Sequence, residues 1–167
     1  MNNGKSESRR RYLTVGIDIS GRDCLVVGGG NVGTRKARTL LEYGGKVTVL
    51  APEVSETVKE LVGEGALEWE AVSYSKNFLE GRFLVVAATN DRKLNLKIAA
   101  DAKQRGVLAI LASPKESSPA IFTALYATGN LSVAVHTNGC DCKLSQKVRD
   151  EIARVINLTP PANGMKR

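Results

Sequence analysis

The chain has 167 residues, enough for one domain of ordinary size with a small appendage. Hydrophobic residues make up 43% and support a packed core; no apolar run approaches the length of a membrane span, and no basic-then-apolar leader opens the chain, so a cytoplasmic protein without a membrane partner is expected. The net charge of +7 does not mark a nucleic-acid binder, because Lys5, Arg9, Arg10 and Arg11 (against Glu7) and the closing Lys166 and Arg167 place most of the excess in two tails, and no basic–aromatic interleaving is present.

Residues 1–11 read as a disordered basic tail. Tyr12 to Ile19 alternates apolar with small or polar residues, as a short strand or extended arm would, and Ser20–Asp23 is a turn. Residues 24–28 read as a buried strand, and Asn31 to Tyr43 as a helix stopped by Gly44-Gly45. A second strand, Lys46 to Leu50, is followed by the loop Ala51-Pro52-Glu53 and a helix from Ser55, its expected cap, to Glu64. Leu67 to Val72 is a third strand and Ser75 to Glu80 a short helical connection. Phe83 to Thr89 is a fourth strand, Asn90-Asp91 caps a helix ending at Arg105-Gly106, and Val107 to Ala112 is a fifth strand.

Strands alternating with helices predict an α/β fold with a Rossmann-like, doubly wound parallel sheet over residues 12–113. Ligands of such sheets bind beyond the carboxyl ends of the strands, so the Gly28 loop, Ala51–Glu53, Thr89–Asp91 and Ala112–Lys115 are expected to meet at one crevice. After Pro114 the pattern changes. Ala120 to Ala127 is a short helix or an extended segment, Leu131 to His136 a strand, and Leu144 to Ile156 an amphipathic helix. This small α+β unit, residues 114–157, is too short to bury a core alone, so it must pack on the first domain or on a second copy of the chain; residues 158–167 form a tail.

The chemistry centres on Gly28-Gly29-Gly30-Asn31-Val32-Gly33, where Gly28, Gly30 and Gly33 have G-x-G-x-x-G spacing between a strand and a helix. The first glycine permits a tight turn, the second a close approach of backbone to a pyrophosphate, and the third close packing of helix on strand. The alternative is a purely structural turn. Glu53 lies 20 residues beyond Gly33, the usual spacing for an acid that bonds the ribose hydroxyls, though three residues past its strand; the alternative is a solvated acid leading a helix. Neither Ala51 nor Pro52 supplies a base for a 2′-phosphate, which favours NAD over NADP.

Several stretches fall in an order that resembles a known family. They are Tyr12-Leu13, Gly21-Arg22, Val26–Ala37 with Arg35-Lys36-Ala37 after the glycines, Val49–Glu53, Ala87–Asp91, Asn95, and Leu131–Arg149. Together, across residues 12–156, they resemble the stand-alone precorrin-2 dehydrogenases and the N-terminal module of sirohaem synthases. The resemblance implies NAD-dependent oxidation of precorrin-2 to sirohydrochlorin, in some members insertion of ferrous iron as well, and a homodimer built through the small second domain. It implies cofactor contacts at Gly28, Gly30, Asn31, Val32 and Gly33, at Pro52 and Glu53, and at the Thr89-Asn90 loop.

Three departures from the family's pattern stand out. Ala112 occupies the place of the Asp proposed as the family's acid/base and metal contact, and alanine carries no proton and binds no metal. The chain after Ile156 is shorter than the family's usual helical extension. The loop His136-Thr137-Asn138-Gly139-Cys140-Asp141-Cys142 puts an imidazole and two thiols within seven residues. His136, Cys140 and Cys142 are therefore candidate ligands for ferrous iron or another divalent metal, the alternative being polar loop residues at a dimer surface. Asp141 is a candidate replacement acid. Cys24, inside an apolar strand, reads as a small buried hydrophobe, and an odd count of three cysteines argues against a disulfide framework. The departures raise an alternative to the enzyme: a catalytically reduced homologue that binds a dinucleotide and a tetrapyrrole or metal as carrier or regulator. An unrelated Rossmann domain serving as an NAD sensor is a third reading.

Overall fold

The computed structural model describes residues 10–158, in two compact units. The larger covers residues 15–121 and holds a parallel five-stranded sheet: β1 (Asp23–Gly29), β2 (Lys46–Val54), β3 (Glu68–Glu70), β4 (Leu84–Ala87) and β5 (Leu108–Leu111), in spatial order β3-β2-β1-β4-β5. The helices α1 (Asn31–Glu42), α2 (Glu56–Gly63) and α3 (Arg92–Gln104) are the crossovers. This is the Rossmann-like α/β arrangement read from the alternation of elements. The switch in chain order falls between β1 and β4, which is where such sheets bind ligands.

The central strands are apolar on both faces because helices cover both. Cys24, Leu25 and Val26 of β1 and Val85 and Val86 of β4 are fully buried, as continuous apolar runs in a parallel sheet should be. Burial also pushes the Cys24 thiol above its usual range, as expected for a packing cysteine. Leu25, Val27, Leu50, Leu79, Val85 and Ile98 belong to one continuous core cluster. Helix α1 ends on Gly44 at φ +78°, with Gly44 N–H donating to Leu41 O and Gly45 N–H to Leu40 O, each at 2.9 Å. Ser55 caps α2 through Val58 N–H, and Asp91 caps α3 through Lys93 and Leu94 N–H.

Several boundaries differ from the sequence expectation. Tyr12–Ile19 joins no strand: Leu13, Val15 and Ile17 are exposed, and only Ile19 turns inward. β2 runs on through Ala51-Pro52-Glu53 to Val54, because β1 stays alongside it to Gly29↔Val54 across a bulge that leaves Pro52 without a ladder bond to supply. β3 keeps only three residues at the sheet edge, and the connection before β4 is a single 3-10 turn over Lys76–Leu79, anchored by buried Leu79. The first unit extends past Ser113 to Ile121. Ser118, fully buried, accepts from Leu111 N–H at 2.8 Å, and Ala120 bridges Ile110, so this segment stays tied to β5.

The smaller unit comprises residues 122–158 with residues 10–14 of the arm. The segment left open between helix and extended chain is extended: β6 (Ala124–Thr128) pairs antiparallel with β7 (Leu131–Val135) around Gly129 at φ +53°. The helix α4 (Cys142–Leu158) packs on this hairpin, with Tyr126 OH donating to Asn157 Oδ1 at 2.7 Å. Arm residues join it through Tyr12 N–H to Asn138 Oδ1 at 3.0 Å, and Thr14 Oγ1 lies 2.9 Å from His136 Nε2. Among the described residues, no helix is long and apolar enough to cross a membrane.

Candidate functional site

The carboxyl ends of the strands enclose an open cleft of ≈ 990 Å³ in the larger unit. All four expected loops meet there. Gly28, Gly30, Asn31 and Val32 line it from the β1–α1 turn, Pro52 and Glu53 from the end of β2, Thr89 and Asn90 from the loop after β4, and Ala112, Ser113 and Lys115 from the loop after β5.

The three fingerprint glycines are required for different reasons. Gly28 adopts φ +115°, and a Cβ there would stand 2.5 Å from Ala88 O. Gly33 does not line the cleft; a Cβ on it would stand 1.9 Å from Gly28 O, so its absence lets α1 close on the turn. Gly30 has φ −77° and ψ −176°, ordinary extended backbone, and a Cβ on it would meet nothing within 4 Å. Nothing in the fold requires a glycine there. The space it leaves lies at the N-terminus of α1, where no side chain caps the helix and no acidic residue occupies the first turn. First-turn amides and the helix dipole favour an anion at such a place. Arg35, one turn on, also lines the cleft. The residues present therefore fit a dinucleotide's pyrophosphate.

The surrounding loops are fixed by hydrogen bonds. Thr34 Oγ1 donates to Gly30 O at 3.0 Å and lies 2.9 Å from Ser55 Oγ, while Ser55 N–H donates to Gly29 O at 3.0 Å, so the glycine turn is tied to the start of α2. Trp69 Nε1 donates to Ala51 O at 2.9 Å and fixes the start of the Ala51–Glu53 wall. Glu53 lies within β2 and lines the cleft as an exposed side chain, rather than standing in a loop beyond the strand. Tyr74 lines the same cleft; burial and its bond to Asp101 Oδ2, 3.1 Å away, push its phenol well above the usual range, so it stays protonated.

Tyr74 is a cleft residue that sequence reasoning missed, while Ser113 entered only as part of the Ala112–Lys115 loop and Asn95 only as part of the family resemblance, with no role given to either. Asn95 is fully buried on α3 and bonds both Thr89 and Ser113. The signal was present: Asn95 shares an i, i+3, i+7 stripe with Ile98 and Ala102, and a polar residue at a core position of a helix must find internal partners.

The metal expectation is not met by the donor arrangement. Among the described residues, no group of three or more His, Cys, Asp and Glu side chains is set to hold a metal ion. The His136 ring is engaged at both nitrogens: Nδ1 accepts from Asn138 N–H at 3.2 Å, so Nε2 carries the proton toward Thr14 Oγ1. Cys140 and Cys142 are both exposed, and the Cys140 thiol turns to Asn138 O at 3.9 Å. Asp141 has a structural occupation: its Oδ1 accepts from Leu144 N–H at 2.9 Å, capping α4, and its carbonyl accepts from Thr137 Oγ1 and Ser145 Oγ. The cap was legible in the spacing, and proton chemistry is not needed to explain the residue.

The fold and the cleft define an NAD(P)-binding domain of the Rossmann class. The family described as "Putative NAD(P)-binding" matches residues 15–124. The siroheme synthase of Chromobacterium violaceum is 36% identical over 153 residues, 92% of this chain and 32% of that protein. The siroheme synthase of Photorhabdus laumondii is 32% identical over 145 residues, covering 87% and 31%. The solved structure of SirC, a precorrin-2 dehydrogenase, is similar with a TM-score of 0.70 at 30% identity, covering 86% of this chain and 71% of that one. The chain belongs to the family of precorrin-2 dehydrogenases and sirohaem synthases. It spans about a third of the length of the curated relatives it matches.

Proposed function

We propose that the protein oxidises precorrin-2 to sirohydrochlorin with NAD, as a cytoplasmic homodimer. The observation that carries this reading is the coincidence of the SirC likeness, across most of both chains, with a glycine turn whose Gly30 is open to a ligand. When bound, NAD would supply the hydride acceptor, and the one proton released with each hydride leaves to water. The chain's own residues would bind and orient it: the α1 N-terminus and Arg35 would hold the pyrophosphate, Glu53 the ribose hydroxyls, and the Thr89-Asn90 loop would border the cofactor, all of them lining the cleft. The tetrapyrrole would be left the Ala112–Lys115 side of the cleft. Ala112 N–H donates to Ala87 O at 2.8 Å and its methyl carries no proton, so the protein offers no acid or base at that position. Orientation of the cofactor remains the main catalytic contribution.

The dimer is supported by the smaller unit. Leu131, Leu144, Val148 and Val155 are exposed there at 40%, 48%, 38% and 63%, more apolar surface than a hairpin and one helix can cover.

A second reading follows from Ala112: a reduced homologue that binds the dinucleotide and a tetrapyrrole without turnover. NAD binding and sirohydrochlorin formation, measured separately on the purified protein, divide the two. Binding with turnover supports the dehydrogenase. Binding without turnover at enzyme concentrations equal to substrate supports the carrier, and absence of binding removes both.

A further inference from the structure

We infer that Asn95 is a positioning residue for this oxidation, setting the separation between the cofactor-side loop after β4 and the substrate-side loop after β5; the inference rests on the function proposed above. The last rung between β4 and β5 is Ala87↔Leu111, closed by Ala112 N–H to Ala87 O. Beyond it the two chains part. Ala88 N–H donates to Val27 O at 2.8 Å on the β1 side, in the strand's ordinary alternation, and Ser113 lines the cleft beyond the end of β5. No ladder bond spans the gap. Asn95, in the first turn of α3 and fully buried, spans it instead.

All four bonding positions of the amide are used. Nδ2 donates to Thr89 O at 3.0 Å and to Ser113 O at 2.8 Å. Oδ1 accepts from Thr89 N–H at 3.1 Å and from Thr89 Oγ1 at 2.8 Å. Two donors face two carbonyls and the acceptor faces two donors, so the network fixes which way the amide points. An uncharged group with two donors and a two-pair acceptor in one plane is an amide, and other side chains meet only part of this demand. The residues so tied are cleft-lining ones: Thr89 on the proposed cofactor side, and Ser113, beside Ala112, on the proposed substrate side. A hydride moves only between closely set and aligned partners, so the spacing of these two loops enters the rate.

The test exploits the demand for two donors. Asn95→Asp keeps the shape and the acceptor. Its second oxygen faces Thr89 O and Ser113 O, so the carboxyl must be protonated to fit, and burial favours that neutral form. Asn95→Gln stays uncharged at every pH but sets the amide one methylene further out. NAD affinity and kinetics are measured for wild type and both variants at pH 5.5 and pH 8, with near-UV circular dichroism to confirm folding. Relative to wild type at the same pH, N95D should bind NAD nearly normally at pH 5.5 and about tenfold more weakly at pH 8. N95Q should bind about five- to tenfold more weakly at both pH values, with kcat falling more than KM rises. N95D that tracks wild type at both pH values overturns the role, as does N95Q with wild-type affinity and kcat. If N95D is unfolded at both pH values, N95Q decides. A wild type that takes up no NAD overturns the functional reading and this inference together, whereas wild-type NAD binding with indifferent variants overturns only the role of Asn95.

Discussion

Replacing Gly30 by alanine separates what a ligand demands of the glycine turn from what the fold demands. Gly30 has extended backbone angles open to any residue, and an added Cβ meets no atom within 4 Å. Two opposing effects on stability remain. Alanine restricts the unfolded chain, which stabilises by about 0.4–1 kcal/mol. It is also a poorer N-cap than glycine, which costs about 0.5–1 kcal/mol. G30A should therefore unfold within about 1 kcal/mol of wild type, a shift in Tm of no more than about 4 °C. The same methyl group takes the space at the start of α1 that the pyrophosphate approaches. NAD affinity should fall at least tenfold, a loss of about 1.4 kcal/mol. Gly33→Ala is the matched control: its Cβ falls 1.9 Å from Gly28 O, a backbone atom that must move, so it should lose about 1–3 kcal/mol of stability or more. Urea unfolding followed by Trp69 fluorescence, with NAD titration by calorimetry, gives both quantities for each variant. G30A that binds NAD like wild type, or that unfolds as readily as G33A, refutes the assignment of Gly30 to the ligand.

Three further variants bear on the rest of the site. Ala112→Asp places a carboxyl on the cleft wall and should raise the rate of sirohydrochlorin formation by about 10²–10⁴-fold, the contribution of a positioned acid or base; an unchanged or lower rate removes Ala112 from that position. Asp141→Asn keeps an N-cap while removing a proton carrier, so stability and turnover should both match wild type, whereas Asp141→Ala should lose about 0.5–2 kcal/mol by chemical denaturation; a large fall in kcat for folded D141N would make Asp141 a catalytic acid after all. The Lys97 hydrogen bond, assisted by Tyr74, holds the Asp101 carboxyl below its usual range. Its contribution is thus present above the unfolded carboxyl's pKa of about 3.9 and lost as pH falls through the lower folded value. The Tm advantage of wild type over Asp101→Asn should be clear at pH 7 and gone near pH 2, and an equal gap at both would contradict this.

The elements that the sequence revealed best are those whose signal is local. β1 and β4 are short apolar runs with helices on both sides, and the stops at Gly44 and the caps at Ser55 and Asp91 act within one turn of their helices. Where the outcome depends on a neighbouring strand, the sequence misleads. Pro52 reads as a loop, yet β2 continues through it, bulged between Leu50 and Val54 while β1 advances only from Val27 to Gly29. The alternation in Tyr12–Ile19 is that of a strand, but no described strand lies beside it to complete a ladder. Ala120–Ala127 carried no decisive periodicity, and its extended form comes from pairing with β7.

The site divides in the same way. The glycine turn follows from spacing alone, because its chemistry is backbone chemistry within six residues. Asn95 serves loops six and eighteen residues away in sequence, brought together only by the sheet. Conversely, His136, Cys140 and Cys142 share a short loop, but proximity in sequence did not aim their donor atoms at one point; His136 is taken up by Thr14 and Asn138. Asp141, expected as a candidate replacement acid, also caps the first turn of α4, a role that the sequence reading did not assign to it.

The central claim is that the cleft behind Gly30 holds NAD as the oxidant of precorrin-2. Its most direct test is an oxygen-free incubation of the protein with NAD and enzymatically made precorrin-2, with NADH and sirohydrochlorin quantified in the same sample. The account predicts one NADH for each sirohydrochlorin formed, and neither product without NAD. Sirohydrochlorin formed at the same rate without NAD, or no product of either kind from protein that demonstrably binds NAD, would contradict it.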